Sequence, residues 1–198
     1  GPLSFEYFLD GIKIITNSGF GYHISKKIEL LSRLTACQST LSINDTSITK
    51  FEKNEMICKV FGNSIQDSFK SFDFFEKNEN GIIGCSVSNN GYEKKFGCTH
   101  KREVYLDKEN NYIKGTDHII KAKDGYPIRY TFRFHINPEL SVVKTMSGNS
   151  ALIQISKNKS LIFTIKDESI EIEKSIYLGG RKILDNTCIT ISGNLVNK

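Results

Sequence analysis

Apolar and polar residues alternate along much of this chain with a period of two, which is the period of a β-strand. The clearest alternation covers residues 128–136, where apolar side chains occupy one face and Arg133 and His135 lie on the other. A second alternating segment, residues 4–19, is interrupted by Asp10 and Gly11, a dipeptide that favours a tight hairpin turn. The first segment predicts a strand with a core face and a basic face, and the second predicts a hairpin.

Shorter alternating segments fill much of the remaining chain. They predict strands over residues 41–43, 56–61, 67–75, 81–88, 96–106, 152–155, 161–165 and 170–173. The period becomes helical only over residues 24–34, and residues 46–54 predict a loop. Many short strands separated by polar turns predict an all-β fold, an antiparallel β-sandwich of stacked sheets with one short helix near residues 24–34.

The length of the chain fits a single domain. A β-sandwich commonly accommodates 198 residues around one core, so we assign residues 3–198 to one domain, although two domains are possible. Gly1 and Pro2 have the composition of a purification-tag remnant, so we expect the natural amino terminus to lie upstream. No stretch approaches the roughly 20 apolar residues of a membrane-spanning helix. We therefore expect no membrane partner.

Charge and cysteine content narrow the function only slightly. The net charge of +5 favours a polyanion, either an acidic polysaccharide or a nucleic acid. Lys residues are mixed with Asp and Glu, however, which is typical of an ordinary solvated surface. The five Cys residues form no CxxC pair and are odd in number, so we expect free thiols rather than disulfides or a zinc site.

Two pairs of polar residues are candidates for chemistry. His100 and Arg102 fall on the apolar face of a predicted strand, where polar groups must be paired or must line a cleft. They either pair with a carboxylate such as Asp117 or with backbone carbonyls, or they face an acidic sugar. Arg133 and His135 either lie on a solvated face or bind carboxylate or sulfate groups. No metalloprotease, serine-hydrolase or phosphate-loop motif is present.

Several short motifs, taken in their order and spacing, resemble the heparinase II/III family. The motifs are LSFE at 3–6, NSG at 17–19, QSTL at 38–41, GY at 91–92, FG at 96–97, HKR at 100–102, GTD at 115–117, RFHINP at 133–138 and SIYLG at 175–179. The resemblance covers nearly the whole chain and is to the bacterial branch, in which a carboxy-terminal β-sandwich follows an α-helical toroid. It implies the same β-sandwich domain here.

The resemblance also implies an activity. Such a lyase cleaves a glycosidic bond beside a uronic acid by β-elimination, which requires a group that neutralises the carboxylate, a base and an acid. In the family, Tyr and His residues on the toroid supply most of this chemistry. We therefore expect an acidic polysaccharide and a missing N-terminal α-toroid of the same chain as partners, no nucleic acid, and no activity in the isolated chain. The alternative is a non-catalytic module that binds carbohydrate or packs against another domain.

The chain departs from the family at positions that often carry His. Gln38, Asn89 and Asn137 occupy these positions here. An amide cannot act as a base near neutral pH, but it can donate a hydrogen bond, so Gln38 would be left to neutralise the uronate carboxylate. Some relatives hold zinc with His and Asp. If Asn17 and Gln38 occupy those ligand positions, their neutral amides argue against a metal, and we expect no cofactor.

The resemblance therefore gives a set of candidate substrate-binding residues and assigns no catalytic residue. The candidates are Gln38, Asn89, Tyr92, His100, Arg102, Arg133 and His135. We expect the periplasm as the compartment. The cytoplasm is the alternative, because five free thiols are better preserved in a reducing environment.

Overall fold

The computed structural model describes residues 1–66, 69–79, 81–121, 127–180 and 182–195. Its strands, in chain order, are β1 (Tyr7–Leu9), β2 (Ile12–Thr16), β3 (Leu41–Ile43), β4 (Ser71–Glu79), β5 (Ile82–Tyr92), β6 (Cys98–Asp107), β7 (Tyr112–Lys121), β8 (Ile128–Ile136), β9 (Ser141–Lys144), β10 (Ser150–Ser156), β11 (Lys159–Thr164), β12 (Glu171–Tyr177) and β13 (Leu184–Leu195). The helices are α1 (Lys26–Ser32), α2 (Glu55–Phe61) and α3 (Glu93–Phe96), and Thr35–Cys37 forms a 3₁₀ turn. The predicted all-β class is confirmed.

The chain divides into two compact units. Unit 1 contains Leu3–Ser47 and Arg129–Leu195, and unit 2 contains Ile48–Ile128. Unit 2 is therefore an insertion between β3 and β8 of unit 1. Our assignment of residues 3–198 to a single domain stays a prediction.

Unit 1 contains two sheets that face each other. One has the strand order β1-β2-β8-β13-β12, with β3 also paired to β8, and the other has the order β11-β10-β9. Phe134 of β8 contacts Phe163 of β11, with ring centroids 5.0 Å apart, so side chains of both sheets meet in one core. The deeply buried apolar residues of unit 1 include Ile14, Leu41, Ile43, Ile136, Ala151, Ile153, Ile170, Leu178 and Ile189.

Two local sequence patterns in unit 1, a hairpin turn and a short helix, form the structures that they predict. Asp10 and Gly11 have φ angles of 50° and 78° between β1 and β2, and positive φ at both central residues is the requirement of a type I′ hairpin turn. The predicted helix appears as α1, and Ser25 caps it by accepting a hydrogen bond from the backbone N–H of Ile28 at 3.2 Å.

Strand β8 has the predicted bounds but not the predicted exposure. It lies inside the six-stranded sheet, between β2 and β13. Thr131 and His135 are buried although they alternate with the apolar residues, and only Arg129 on this face is well exposed. Of the two interpretations of Arg133 and His135, a solvated face does not hold for His135, because neighbouring segments cover this side of the strand as well.

Unit 2 is built on a four-stranded antiparallel sheet with the order β4-β5-β6-β7. As the alternation predicted, Cys98, His100 and Arg102 share a buried face of β6. Phe96 does not belong to this strand, because the chain forms α3 up to that residue and then turns at Gly97, which has a φ of 64°.

The strand predicted over residues 56–61 is wrong, because this segment forms α2. Asn54 caps the helix with its side-chain oxygen, which accepts from the backbone N–H groups of Met56 at 3.0 Å and Ile57 at 3.4 Å. Gly62, with a φ of 70°, ends it. These two end signals outweigh the strand-like pattern between them. Residues 67–68 of the next predicted strand lie outside the described residues, and β4 begins at Ser71.

Among the helices that the structure describes, none has the length and apolar character needed to cross a membrane.

Candidate functional site

The predicted site residues are divided between the two units. Unit 1 holds Gln38, Arg133 and His135, and unit 2 holds Asn89, Tyr92, His100 and Arg102. The structure therefore provides two polar clusters, each of which is described by itself.

His135 is the centre of the cluster in unit 1. Its Nε2 lies 3.0 Å from the carbonyl oxygen of Ala36, so this nitrogen carries the proton and donates. Its Nδ1 is left to accept, and lies 3.2 Å from Ser175 Oγ and 3.5 Å from Ser18 Oγ. The ring is only 2% exposed, and burial lowers the pKa of His135 to about 4 against the opposing effect of the Ala36 carbonyl. His135 is therefore neutral near pH 7.

Ser39 connects His135 to the preceding strands. Its hydroxyl donates to the carbonyl oxygen of Thr16 and accepts from the backbone N–H of His135 at 2.8 Å. Its own backbone N–H donates to Asn17 Oδ1 at 2.9 Å. The motifs at 17–19, 38–41, 133–138 and 175–179, which are far apart in the sequence, thus meet around one buried imidazole.

The two amides at the supposed zinc positions are engaged in hydrogen bonds. Asn17 Oδ1 accepts from Ser39, and Gln38 Nε2 donates to the carbonyl oxygen of Ser32 at 3.0 Å. Across the described ranges, no group of three or more His, Cys, Asp or Glu side chains is arranged to hold a metal ion. These residues do not fit a zinc site, and the absence of a cofactor stays a prediction.

Arg133 is tied to β3 and the turn that follows it. Its Nη1 donates to the hydroxyl of Ser42, its Nη2 lies 3.8 Å from Asp45 Oδ1, and its side chain is 17% exposed. It is thus half-buried beside an exposed carboxylate. Its contact with a sugar, like that of Gln38 and His135, stays a prediction.

In unit 2, Asp117 pairs with both His100 and Arg102. Asp117 Oδ1 lies 2.6 Å from His100 Nε2 and 2.7 Å from Arg102 Nε, and Asp117 Oδ2 lies 3.0 Å from Arg102 Nη2. Arg102 and Asp117 are direct partners in the β6–β7 register, which places the guanidinium fork opposite the carboxylate. Of the two interpretations of the sequence, the structure contains the pairing with Asp117.

Burial and charge act in opposite directions in this triad. Burial opposes ionisation of Asp117, but the hydrogen bond from His100 and the charge of Arg102 together hold its pKa below the ordinary value. Burial also lowers the pKa of His100, against the raising effect of Asp117. The cluster is consequently a carboxylate bound by a guanidinium and an imidazole, and the side chains of Arg102 and His100 are at most 5% exposed.

Asn89 and Tyr92 are also buried, at 2% and 1% exposed. Asn89 Oδ1 accepts from the backbone N–H of Gly91 at 2.8 Å, and its Nδ2 donates to the carbonyl oxygen of Lys70 at 3.3 Å. The ring of Tyr92 lies 6.0 Å from that of Phe96. These contacts shape the end of β5.

Among the concave surfaces of the described residues, two illustrate what the sequence prediction missed. In unit 1, an open pocket of about 600 Å³ contains Tyr130 and Glu168. The hydroxyl of Tyr130 lies 2.9 Å from Glu168 Oε1, and burial together with this contact raises the pKa of Tyr130 to about 12. In unit 2, a groove of about 500 Å³ lies on the sheet face opposite Arg102. The alternation of Lys101, Glu103 and Tyr105 with His100 and Arg102 was the available signal for the groove.

The stacked antiparallel sheets define a β-sandwich protein, and the buried polar clusters described above lie within it. The chain matches the family model described as Heparinase II/III-like, C-terminal, over residues 1–195. It therefore belongs to the heparinase II/III-like family, through that family's C-terminal region.

Solved structures share this fold, and a known protein is similar in sequence. Heparan sulfate lyase HepC from Pedobacter heparinus aligns with a TM-score of 0.73 at 16% identity, covering 96% of this chain and 27% of that one, and a mutant of it aligns with 0.74 at 15% identity, covering 98% and 28%. Heparinase III aligns with 0.66 at 18% identity, covering 97% and 27%. FtsZ-localized protein C of Caulobacter vibrioides (strain NA1000 / CB15N) is 23% identical over 181 residues, 87% of this chain and 30% of that protein. The chain spans less than a third of each.

Proposed function

We propose that this chain is the C-terminal β-sandwich region of a larger lyase that cleaves a uronic-acid-containing polysaccharide by β-elimination. In this proposal the chain contributes to the substrate cleft but does not cleave alone. Membership of the family and the fold that the chain shares with a heparan sulfate lyase and with Heparinase III support it.

The burial of both candidate imidazoles carries the part of the proposal in which the chain does not cleave alone. A base must come within hydrogen-bond reach of the proton that it removes from the sugar. His135 is directed at the Ala36 carbonyl and His100 at Asp117, and each ring is 2% exposed. Proton transfer would then be performed by residues of an N-terminal α-toroid, for which the greater length of the relatives leaves room.

The test compares two proteins in one assay. The 198-residue chain and a longer protein that includes the upstream region are incubated with heparan sulfate and with other uronic-acid polysaccharides, and the unsaturated product is followed by ultraviolet absorbance. We expect product from the longer protein and none from the chain. Product formed by the chain would refute its inactivity, and no product from the longer protein on any of these substrates would refute the lyase.

A non-catalytic module is the second candidate, and the amides at positions where the family often has His favour it. Asn137 is such a residue: its Nδ2 donates to the carbonyl oxygen of Lys13 at 2.9 Å and its Oδ1 accepts from the backbone N–H of Glu139 at 3.1 Å. Gln38 and Asn89 are likewise hydrogen-bonded to the backbone. These residues support the fold by hydrogen bonding, which requires no proton transfer. Binding of polysaccharide by the longer protein without cleavage would favour this candidate.

A further inference from the structure

Strand β11 (Lys159–Thr164) forms one edge of the three-stranded sheet of unit 1, and among the described strands only β10 pairs with it. The backbone N–H of Ile165 donates to the carbonyl oxygen of Asn149 at 3.0 Å, and hydrogen-bonded pairs alternate along an antiparallel ladder. Leu161 and Phe163 are therefore bonded to β10. The residues whose N–H and C=O groups point away from β10, to the outer edge, are Ser160, Ile162 and Thr164.

This edge lacks the features that usually protect an edge strand, which are short length, charged side chains or a bulge. The other edge strands in the described parts of the chain have them. Strands β1 and β3 contain three residues each, β9 contains four and ends at Lys144, β4 has a bulge, and β7 and β12 contain several charged residues. In β11 only the first residue, Lys159, is charged, and it pairs with Asp10. Residues 160–165 carry no charge.

The pattern of residues 160–164 is the same in both directions, with a hydroxyl side chain at each end and three apolar side chains between them. A two-fold interface brings the same patch of both copies together, so it requires such a self-complementary pattern. Lys159 would then lie opposite the uncharged Ile165, so no like charges would meet. Antiparallel pairing of two copies about Ile162 would join Ile162 with Ile162, Ser160 with Thr164, and Leu161 with Phe163.

Pairing at this edge would also cover apolar surface on both faces of the sheet. Ile162 is 71% exposed, and the register places it in one row with Leu152 and Val143, which is 63% exposed. Two copies would join their rows into one continuous apolar stripe. On the opposite face, Leu161 and Phe163 are only half-buried although they point towards the core. A neighbouring strand would complete their burial.

We propose that β11 pairs with β11 of a second copy of this chain, antiparallel about Ile162, so that the two three-stranded sheets form one continuous sheet. Each outward-pointing residue then exchanges two backbone hydrogen bonds with the residue opposite it. One short strand buries less area than the roughly 800 Å² per partner of a standard interface, so the dimer is weak and depends on concentration. This pairing does not depend on the proposed lyase activity.

Amide hydrogen exchange of the 198-residue chain, followed by NMR at low micromolar and at millimolar concentration, tests the position of the contact. We expect the amides of Ser160, Ile162 and Thr164 to exchange about fivefold more slowly at the higher concentration. The amides of Leu161 and Phe163 are bonded to β10 and should be protected at both concentrations. Sedimentation velocity on the same samples should show conversion of monomer into dimer.

A matched pair of variants tests the edge against the sheet face. In Ile162→Lys, two ammonium groups meet at the two-fold axis, whereas Val143→Lys places the same charge in the same apolar row but on β9. We expect Ile162→Lys to raise the dissociation constant of the dimer at least about tenfold and Val143→Lys to raise it less than about twofold. Ile162→Val should keep the dimer. Circular dichroism checks that each variant is folded.

A chain that remains monomeric at millimolar concentration, or equal losses in the two Lys variants, would overturn the inference. A dimer without slower exchange at Ser160, Ile162 and Thr164 would place the contact elsewhere and would overturn it as well. The same exchange measurement on a longer protein that includes the upstream region distinguishes another occupant. Protection of these amides in a monomer of that protein would show that upstream residues cover the edge, which would also contradict the pairing of two copies.

Discussion

Asp117 is the residue that holds the buried triad of unit 2 together. In Asp117→Asn, the amide cannot balance the charge of Arg102 or accept as well from His100, so a buried cation loses its partner. We expect the free energy of unfolding to fall by about 3 kcal/mol in urea titrations at neutral pH. Glu109→Gln, the same chemical change at an exposed site, should cost less than about 0.5 kcal/mol. A loss as small as this in Asp117→Asn would show that the triad contributes little.

His135 should make the stability of the protein depend on pH. The pKa of His135 is about 4 in the folded state, against an ordinary value of 6.5. Between these two pH values the ring is therefore protonated in the unfolded chain but neutral in the folded chain. The contribution of His135 to the free energy of unfolding is therefore highest above pH 6.5, and it decreases as the pH falls from 6.5 towards 4. Between about pH 7.5 and about pH 5, we expect His135 to account for a loss of about 2 kcal/mol in the free energy of unfolding.

Urea titrations of the unchanged chain and of His135→Gln at both pH values isolate this contribution. His135→Gln should lack this pH-dependent loss of stability, whereas His118→Gln, which changes an exposed imidazole, should retain it. Proton NMR gives a direct measurement, and titration of the His135 ring near 6.5 would contradict the prediction.

At the scale of elements, prediction from the sequence succeeded where one local pattern decided the outcome. The bounds of β8 follow from nine alternating residues, and the β1–β2 hairpin follows from Asp10 and Gly11. The burial of His135 could not be predicted, because it depends on Ser175 and Ala36, which are distant in the sequence.

For the candidate site too, prediction succeeded only where a local pattern decided the outcome. The pairing of His100 and Arg102 with Asp117 was one of two open interpretations, because a polar pair on a core face must find a partner. The groove was missed because its residues lie on different strands, whose register is not visible in the sequence. Site residues that meet only through the register between strands could therefore not be predicted from any single sequence motif.

Helix α2 gives the element-scale prediction. Its apolar residues are largely exposed, with Met56 at 79% and Val60 at 73%, so packing contributes little and the cap formed by Asn54 matters more. Asn54→Ala should destabilise the helix by about 1 kcal/mol, and Asn54→Asp, which keeps an acceptor at the cap, should not. Far-ultraviolet circular dichroism and hydrogen exchange at residues 55–61 measure this, and equal protection in both variants would exclude a role for the cap.

At the scale of the whole molecule, the two units differ in their cores. Most of the deeply buried apolar residues among those described lie in unit 1, including Ile14, Ile136 and Ile189. In unit 2 they are few: Ile48, Tyr92, Cys98 and Ile128. Because apolar burial is the main stabilising contribution to folding, unit 1 should be the more stable of the two by itself.

The connection between the units allows this difference to be tested. Unit 2 is inserted between β3 and β8, which are antiparallel partners, and the backbone N–H of Asn44 donates to the carbonyl oxygen of Arg129 at 2.8 Å. Replacing residues 45–128 by Asn-Gly should therefore convert β3 and β8 into a direct hairpin. We expect the shortened chain to unfold cooperatively in differential scanning calorimetry and residues 48–128 alone to show no such transition. Ile136→Ala in the shortened chain should cost about 3 kcal/mol, which checks that the transition reports the native core. Loss of the transition on removing unit 2 would mean that unit 1 requires the insertion in order to fold.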